Sequence, residues 1–308
     1  MQDATRSNAP IRKQAAFKPV SQAIILDSIT HMKPEHRGGA VYAGSHGGMY
    51  AGYYAAKMGV GAVILNDAGI GRELAGVAGV VMLGGLGVPA AAVAHTSARI
   101  GDGADGVTRG VLSFANAPAT AFGLTVGMTC RAALDRLAGS PLTPSPAPSA
   151  LDEARFDLRE ASKPGVRVIG ADSVTLVTPD DAGHIFINGS HGGLLAGRPE
   201  TAIKADVFAA VFNDAGGGID GAGLTRLPAL DTRNIAAATV SCFSARIGDG
   251  RSTWEHGFIS AVNATATRHG GAIGQCCQEY VAAMVTARLA AIRAAQIRLE
   301  AAKDGFSR

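Results

Sequence analysis

VGAVILNDAG (residues 60–69) and VFAAVFNDAG (residues 207–216) are the two stretches on which the fold turns. Each is a short apolar run that stops abruptly at Asn-Asp-Ala-Gly. An uninterrupted run of this length, rich in Val, Ile and Phe, reads as a strand covered on both faces, as in parallel sheets. The copies lie 147 residues apart (207 − 60), and the same offset carries SARIGDG at Ser97 onto SARIGDG at Ser244, Asn116 onto Asn263 and Cys130 onto Cys277. Upstream the offset is 145: DSIT at Asp27 falls on DSVT at Asp172, Pro34 on Pro179, and GSHGG at Gly44 on GSHGG at Gly189. Several motifs in one order at nearly one spacing point to an internal duplication, and the period is too long for a solenoid.

Within one copy, apolar strands alternate with helical stretches such as MYAGYYAAKMG and ELAGVAGVVMLGGLG, the first ending in Gly. That alternation predicts parallel strands with helices on both faces. The expected fold is therefore α/β: two Rossmann-like halves related by a pseudo-two-fold axis, with mostly parallel sheets. The boundaries read as a first repeat over 20–138, a Pro/Ser-rich linker over 139–165, a second repeat over 166–285, and an amphipathic helix over Gln278–Lys303 whose end occupies 286–308. The stretch Ala150–Ala161 of the linker is expected to form a short helix.

Composition narrows the function classes. The 308 residues include 41 glycines, 47% hydrophobic and 17% charged residues, with a formal net charge of +3. The apolar share suffices for a packed core, which at 5% aromatics must be mostly aliphatic. No basic stripe interleaved with aromatics suggests nucleic acid, and no run of about 18 apolar residues suggests a membrane span. The polar leading stretch MQDATRSNAPIRKQAAF lacks a signal-peptide core. Four cysteines in a chain this long do not make a disulfide framework. The expectation is a cytoplasmic, homo-oligomeric enzyme of small-molecule metabolism, with a small-molecule substrate and no nucleic-acid or membrane partner.

Each repeated motif follows a strand, where open parallel sheets bind ligands. GSHGG offers Ser45 and His46, or Ser190 and His191, on a turn whose N–H groups suit an anion. NDAG offers Asn66 and Asp67, or Asn213 and Asp214; these also make helix caps. Glu73 and Asp220 add an acid six residues on. SARIGDG offers Ser97, Arg99 and Asp102, or Ser244, Arg246 and Asp249. Its Arg suits a carboxylate, a phosphate or an imide edge, or else braces the loops against Asp67 or Asp102. The copies differ at His95/Cys242 and Thr96/Phe243, which implies a composite site or one active and one structural site.

These residue types predict a hydrolase of a small polar or anionic molecule, acting on the C–N bond of an amide or cyclic imide. His46 or His191 is the expected base, Asp67 or Asp214 its orienting carboxylate, Ser97 and Ser244 catalytic hydroxyls, and the glycine-rich N–H groups an oxyanion hole. Ser45, Asn66, Arg99, Asp102 and their counterparts Ser190, Asn213, Arg246 and Asp249 would bind substrate. No cofactor is required, although His and Asp could hold a divalent metal. NGSHGG at Asn188 resembles the Gly-His-Gly-Gly loop of creatininase-like amidohydrolases, but the inserted serine and the missing metal-ligand spacing depart from that pattern. There is no GxxxxGK[ST], no dinucleotide fingerprint in a strand–turn–helix setting, no GxSxG elbow and no HExxH. One alternative is an isomerase or racemase in which Cys130 and Cys277, at helix starts, flank the substrate carbon while Arg99 and Arg246 hold its carboxylate. Another is a ligand-binding protein without turnover.

Overall fold

The computed structural model describes residues 23–305. The polar leading stretch, the first residues of the expected first repeat and the last three residues of the chain lie outside the described residues. The chain is α/β, with two mostly parallel sheets. The first has five strands in the order β1 to β5: Ile24–Leu26, Ala40–His46, Ala62–Asn66, Ala90–Val93 and Leu112–Ala115. The first four are parallel, and β5 turns back antiparallel to β4. The second has six strands, β6 to β11: Arg155–Asp157, Val168–Ala171, Ile185–His191, Ala209–Asn213, Ala236–Val240 and Ile259–Val262. Here β7 to β10 are parallel, and both edge strands, β6 and β11, are antiparallel.

Helices α1 (Met49–Lys57), α2 (Ala78–Gly85), α3 (Gly103–Arg109), α4 (Ala117–Ala121) and α5 (Cys130–Ala138) accompany the first sheet. Helices α6 (Arg226–Asp231), α7 (Gly250–His256), α8 (Ala264–Arg268) and α9 (Cys277–Gly305) accompany the second. Each sheet has an apolar cluster on either face, because alternate residues of an apolar strand point to opposite sides. Val63 and Leu65 face one way with α1 and α2, while Ala62 and Ile64 face the other with α3 and α5. A fifth cluster, Ala68, Ala75, Ile100, Ala215, Ala222 and Ile247, joins the two units through the loops at their strand ends.

Two local expectations are corrected. The stretch read as a helix over Ala150–Ala161 contributes β6 instead, pairing Phe156 with Gly170; Phe156 packs over that glycine, where any Cβ would clash with its ring. After GSHGG the first unit continues into α1, but the second does not form a helix. Gly197 at φ 68° and Pro199 limit it to two short 3-10 turns, Leu195–Gly197 and Pro199–Thr201. Among the described residues no helix is long and apolar enough to cross a membrane.

Candidate functional site

A cavity of about 390 Å³ lies between the carboxyl ends of β1 and β2 on one side and β7 and β8 on the other. The GSHGG turns enter it from both sides with Ser45, His46, Ser190 and His191. A kink in each ladder just before the histidine, between Tyr42 and His46 and between Ile187 and His191, turns the strand end toward the cavity.

The glycines of these turns serve close packing. A Cβ at Gly44 would lie 2.6 Å from the Asp102 nitrogen, and one at Gly189 would collide with the Asp249 nitrogen. Their N–H groups are already occupied. Gly47 donates to the Asn66 carbonyl and Gly192 to the Asn213 carbonyl, each at 2.7 Å. Gly48 donates to His46 Nδ1 at 3.1 Å and Gly193 to His191 Nδ1 at 3.2 Å. The expected oxyanion hole of glycine amides is therefore absent among these turns.

Those last two bonds decide the state of the imidazoles. A ring nitrogen that accepts an N–H carries no proton, so each neutral ring bears its hydrogen on Nε2. Burial holds His46 at a pKa of about 4. His191 is pushed well below the ordinary value by burial first, then by the charges of Arg226 and His46. The rings stand edge to face with centroids 6.4 Å apart. Neither Nε2 has a partner among the described residues, and neither is among the atoms that burial seals off unsatisfied. Both are neutral donors at the cavity wall. A base acting through Nε2 would need the other tautomer, which Gly48 and Gly193 oppose.

The remaining expected site residues lie elsewhere. Asp67, expected to orient His46, instead accepts from His95 Nδ1 and His95 N, both at 2.9 Å, and from Ser113 Oγ at 2.7 Å. Those bonds outweigh its burial and lower its pKa, while the carboxylate raises that of His95. Asp214 accepts from the nitrogens of Gly216 and Cys242, each at 2.9 Å. Asn66 and Asn213 are buried clamps, donating to the carbonyls of Ala98 and Ala245 and accepting from Ala68 and Ala215. Ser97 and Ser244 staple their loops, donating to the carbonyls of Ala94 and Ser241 and accepting from Val111 and Phe258. Asp102 and Asp249 cap α3 and α7.

Arg99 pairs with Asp220, and Arg246 pairs with Asp249 and Glu73. Both are braces, but Arg99 reaches across to Asp220 and not to the expected Asp67 or Asp102, while Arg246 holds Asp249 of its own unit and Glu73 of the other. Arg246 and Asp249 also line an adjoining hollow of about 370 Å³. Ser45 and Ser190 reach the cavity, but each hydroxyl also accepts a backbone N–H, from Ile29 and Val174 at 2.9 Å. Cys130 lies in the core between β2 and α5, and Cys277 lies in the core under α9. Burial raises both thiols, Cys130 to about 12. The two sulfurs belong to separate cores and line neither the cavity nor the adjoining hollow, which removes the geometry of the paired-cysteine isomerase there. Among the described residues no three His, Cys, Asp or Glu side chains converge as a metal site needs.

Three cavity residues escaped the sequence reading. Glu153, from the linker, is half-buried; burial raises its carboxyl to about 7, helped by the Asp172 carboxylate and opposed by the hydroxyls of Ser173 and Tyr50. Asp172 belongs to the repeated DSIT/DSVT motif, and it accepts from Ala154 N at 2.7 Å and Gly250 N at 3.0 Å. Arg226 falls outside every repeated motif, since its partner by offset is Gly79. Compared with protein-family models, curated proteins and solved structures, the chain matches none of them.

Proposed function

We propose that this cavity is the active site of a hydrolase that opens the C–N bond of a small amide or cyclic imide. The reading rests on one observation: two neutral histidines with free Nε2–H groups share a cavity with a carboxyl held near 7. A carboxyl in that range exchanges protons efficiently at neutral pH. Neutral imidazole donors stabilise a developing oxyanion without first being deprotonated.

In this scheme Glu153 takes a proton from water as the oxygen bonds to the carbonyl carbon. The oxyanion accepts from Nε2–H of His46 and His191. Glu153 then returns the proton to the nitrogen as the C–N bond breaks, leaving an acid and an amine or an opened ring. Ser97, Ser244, Asp67 and Asp214 take no part.

We further infer that the two units are a duplication about a pseudo-two-fold axis passing through the cavity, between His46 and His191. Cross-unit contacts that come in reciprocal pairs support this, as isologous packing requires. Arg72 N donates to the Cys242 carbonyl and Ile219 N to the His95 carbonyl, both at 2.8 Å. Glu73 meets Arg246 as Asp220 meets Arg99.

Turnover of a panel of small amides and cyclic imides in ¹⁸O-labelled water tests the reaction. Hydrolysis puts the label in the product acid. Glu153→Gln should lower kcat by about 10²-fold or more, and His46→Gln by about tenfold or more. Product without label, or Glu153→Gln at full kcat, overturns the reading.

A further inference from the structure

The cavity contains a cation that this reaction does not use. Arg226 opens α6 and is 3% exposed. Its Nε donates to the Gly193 carbonyl and its Nη1 to the carbonyls of Thr201 and Ala202. No carboxylate pairs with it among the described residues, although thirteen ion-pair contacts form elsewhere in the molecule. Nη2, with two N–H groups, has no acceptor among the described residues, yet it is not among the buried atoms sealed off without a partner. Arg226 lines the cavity with His191, Thr201 and the exposed Lys204.

A buried guanidinium without a counter-ion is costly, and an anion entering the cavity relieves that cost. Its neighbours narrow the anion. Nε and Nη1 are already engaged, so Nη2 makes the contact alone through its two N–H groups. Glu153, Asp172 and Glu200 also line the cavity and oppose a second negative charge. A singly charged, compact group fits best.

We propose that Arg226 Nη2, with Lys204 at the rim, binds a carboxylate of the substrate, so that the enzyme takes small amides or imides carrying a free carboxylate away from the scissile bond. The amide part rests on the reaction proposed above; the carboxylate part rests on Arg226 alone. Arg226 is then a specificity-determining residue. The carboxylate it holds lies beside His191, which places the reacting carbonyl within reach of the histidine donors.

Calorimetric titration of the full chain with succinamate, succinamide and inorganic phosphate tests this without turnover. Succinamate should bind about tenfold or more tighter than succinamide, as a charge-assisted contact implies. The gap should disappear in Arg226→Met. Because that variant also frees three backbone carbonyls and could fail to fold, Lys204→Met, at an exposed position, provides the second measurement and should narrow the gap. In Glu153→Gln the gap should persist even if turnover is lost, so a failed hydrolase reading leaves this result standing. Equal affinity of wild type for succinamate and succinamide, no measurable binding of either, or tighter binding of phosphate overturns the assignment.

Discussion

Replacing His46 by Gln should flatten the acid limb of the protein's stability. The ordinary histidine pKa is 6.5, and burial holds His46 at about 4 in the folded chain. Between those values the unfolded chain binds a proton that the folded chain refuses, so folding loses stability as pH falls through the window. Above 6.5 both states are neutral and the group contributes nothing; below about 4 the penalty is complete. One pH unit within the window is worth about 1.4 kcal/mol, so the full effect is on the order of 3 kcal/mol. His191, pushed the same way, adds to the slope. Carboxylates elsewhere also titrate in acid, and the comparison with His46→Gln removes them. The amide introduced by that substitution cannot take the proton, but its oxygen can still accept from Gly48. The assay is urea unfolding of both proteins from pH 7.5 to 4.5. The variant should be the less stable at pH 7.5, having lost packing, and should recover on the order of 2–3 kcal/mol relative to wild type at pH 4.5. NMR of the His46 Cε1 proton should show no titration above pH 5. A stability difference that stays constant with pH would refute the neutral-histidine reasoning, and the oxyanion role with it.

Other outcomes follow from the same geometry. Asp67→Asn should drop the His95 pKa toward or below its ordinary value, since the carboxylate is the largest cause of its rise; NMR titration reads this directly. Arg99→Ala should keep full turnover per folded molecule, because its guanidinium pairs with Asp220 on the exposed surface; a large loss of kcat/KM would return Arg99 to the site. Tyr42→Phe should raise stability by about 1 kcal/mol in thermal or urea unfolding, since the Tyr42 hydroxyl is fully buried with no partner among the described residues. Gly189→Ala should impair both folding and the site, because the new Cβ would meet the Asp249 nitrogen and push the β8 end away from α7; an unchanged melting temperature would contradict that packing.

The buried central strands were legible because the signal was local and repeated; their sequential order within each sheet was not. Val63, Ile64 and Leu65 could be nothing but a buried strand, and 207–216 said so again. The edge strand β6 was not legible: it has only three residues, with a burial pattern that no apolar run reveals. Part of the cavity lining was legible. GSHGG brought both histidines to the cavity, but the chemistry assigned to its neighbours failed for a physical reason. Strand ends bring loops together, yet loops that meet must also satisfy their own backbone. Asn66, Ser97 and Asp102 do that work through hydrogen bonds to loop and helix-cap backbone that composition does not reveal. Glu153 was hidden because one acid among Asp152, Asp157 and Glu160, in a connection that does not repeat, carries no distinguishing signal, and its perturbed proton affinity arises from burial by other segments.

A site on a two-fold axis presents equivalent groups to both ends of its ligand, whereas an amide has a carbonyl on one side of its bond and a nitrogen on the other. The cavity resolves this with residues that do not repeat. The paired elements Ser28/Ser173, Ser45/Ser190 and His46/His191 surround the proposed axis and suit the one feature that can sit there, an oxygen accepting from both sides. Direction comes from what breaks the pairing. Gly79 in the first unit must stay small because α1 and α2 touch there, a Cβ meeting the backbone of Gly48. Where the second unit loses that helix to the 3-10 turns around Pro199, the space at the matching position admits Arg226, and its cation marks one end of the cavity. The linker, present once, places Glu153 beside Asp172. On the proposed axis, one helix without a counterpart and one unpaired connection thus make the cavity polar. Restoring symmetry at position 226 should therefore remove the preference for ligand charge while the histidine pair remains in place.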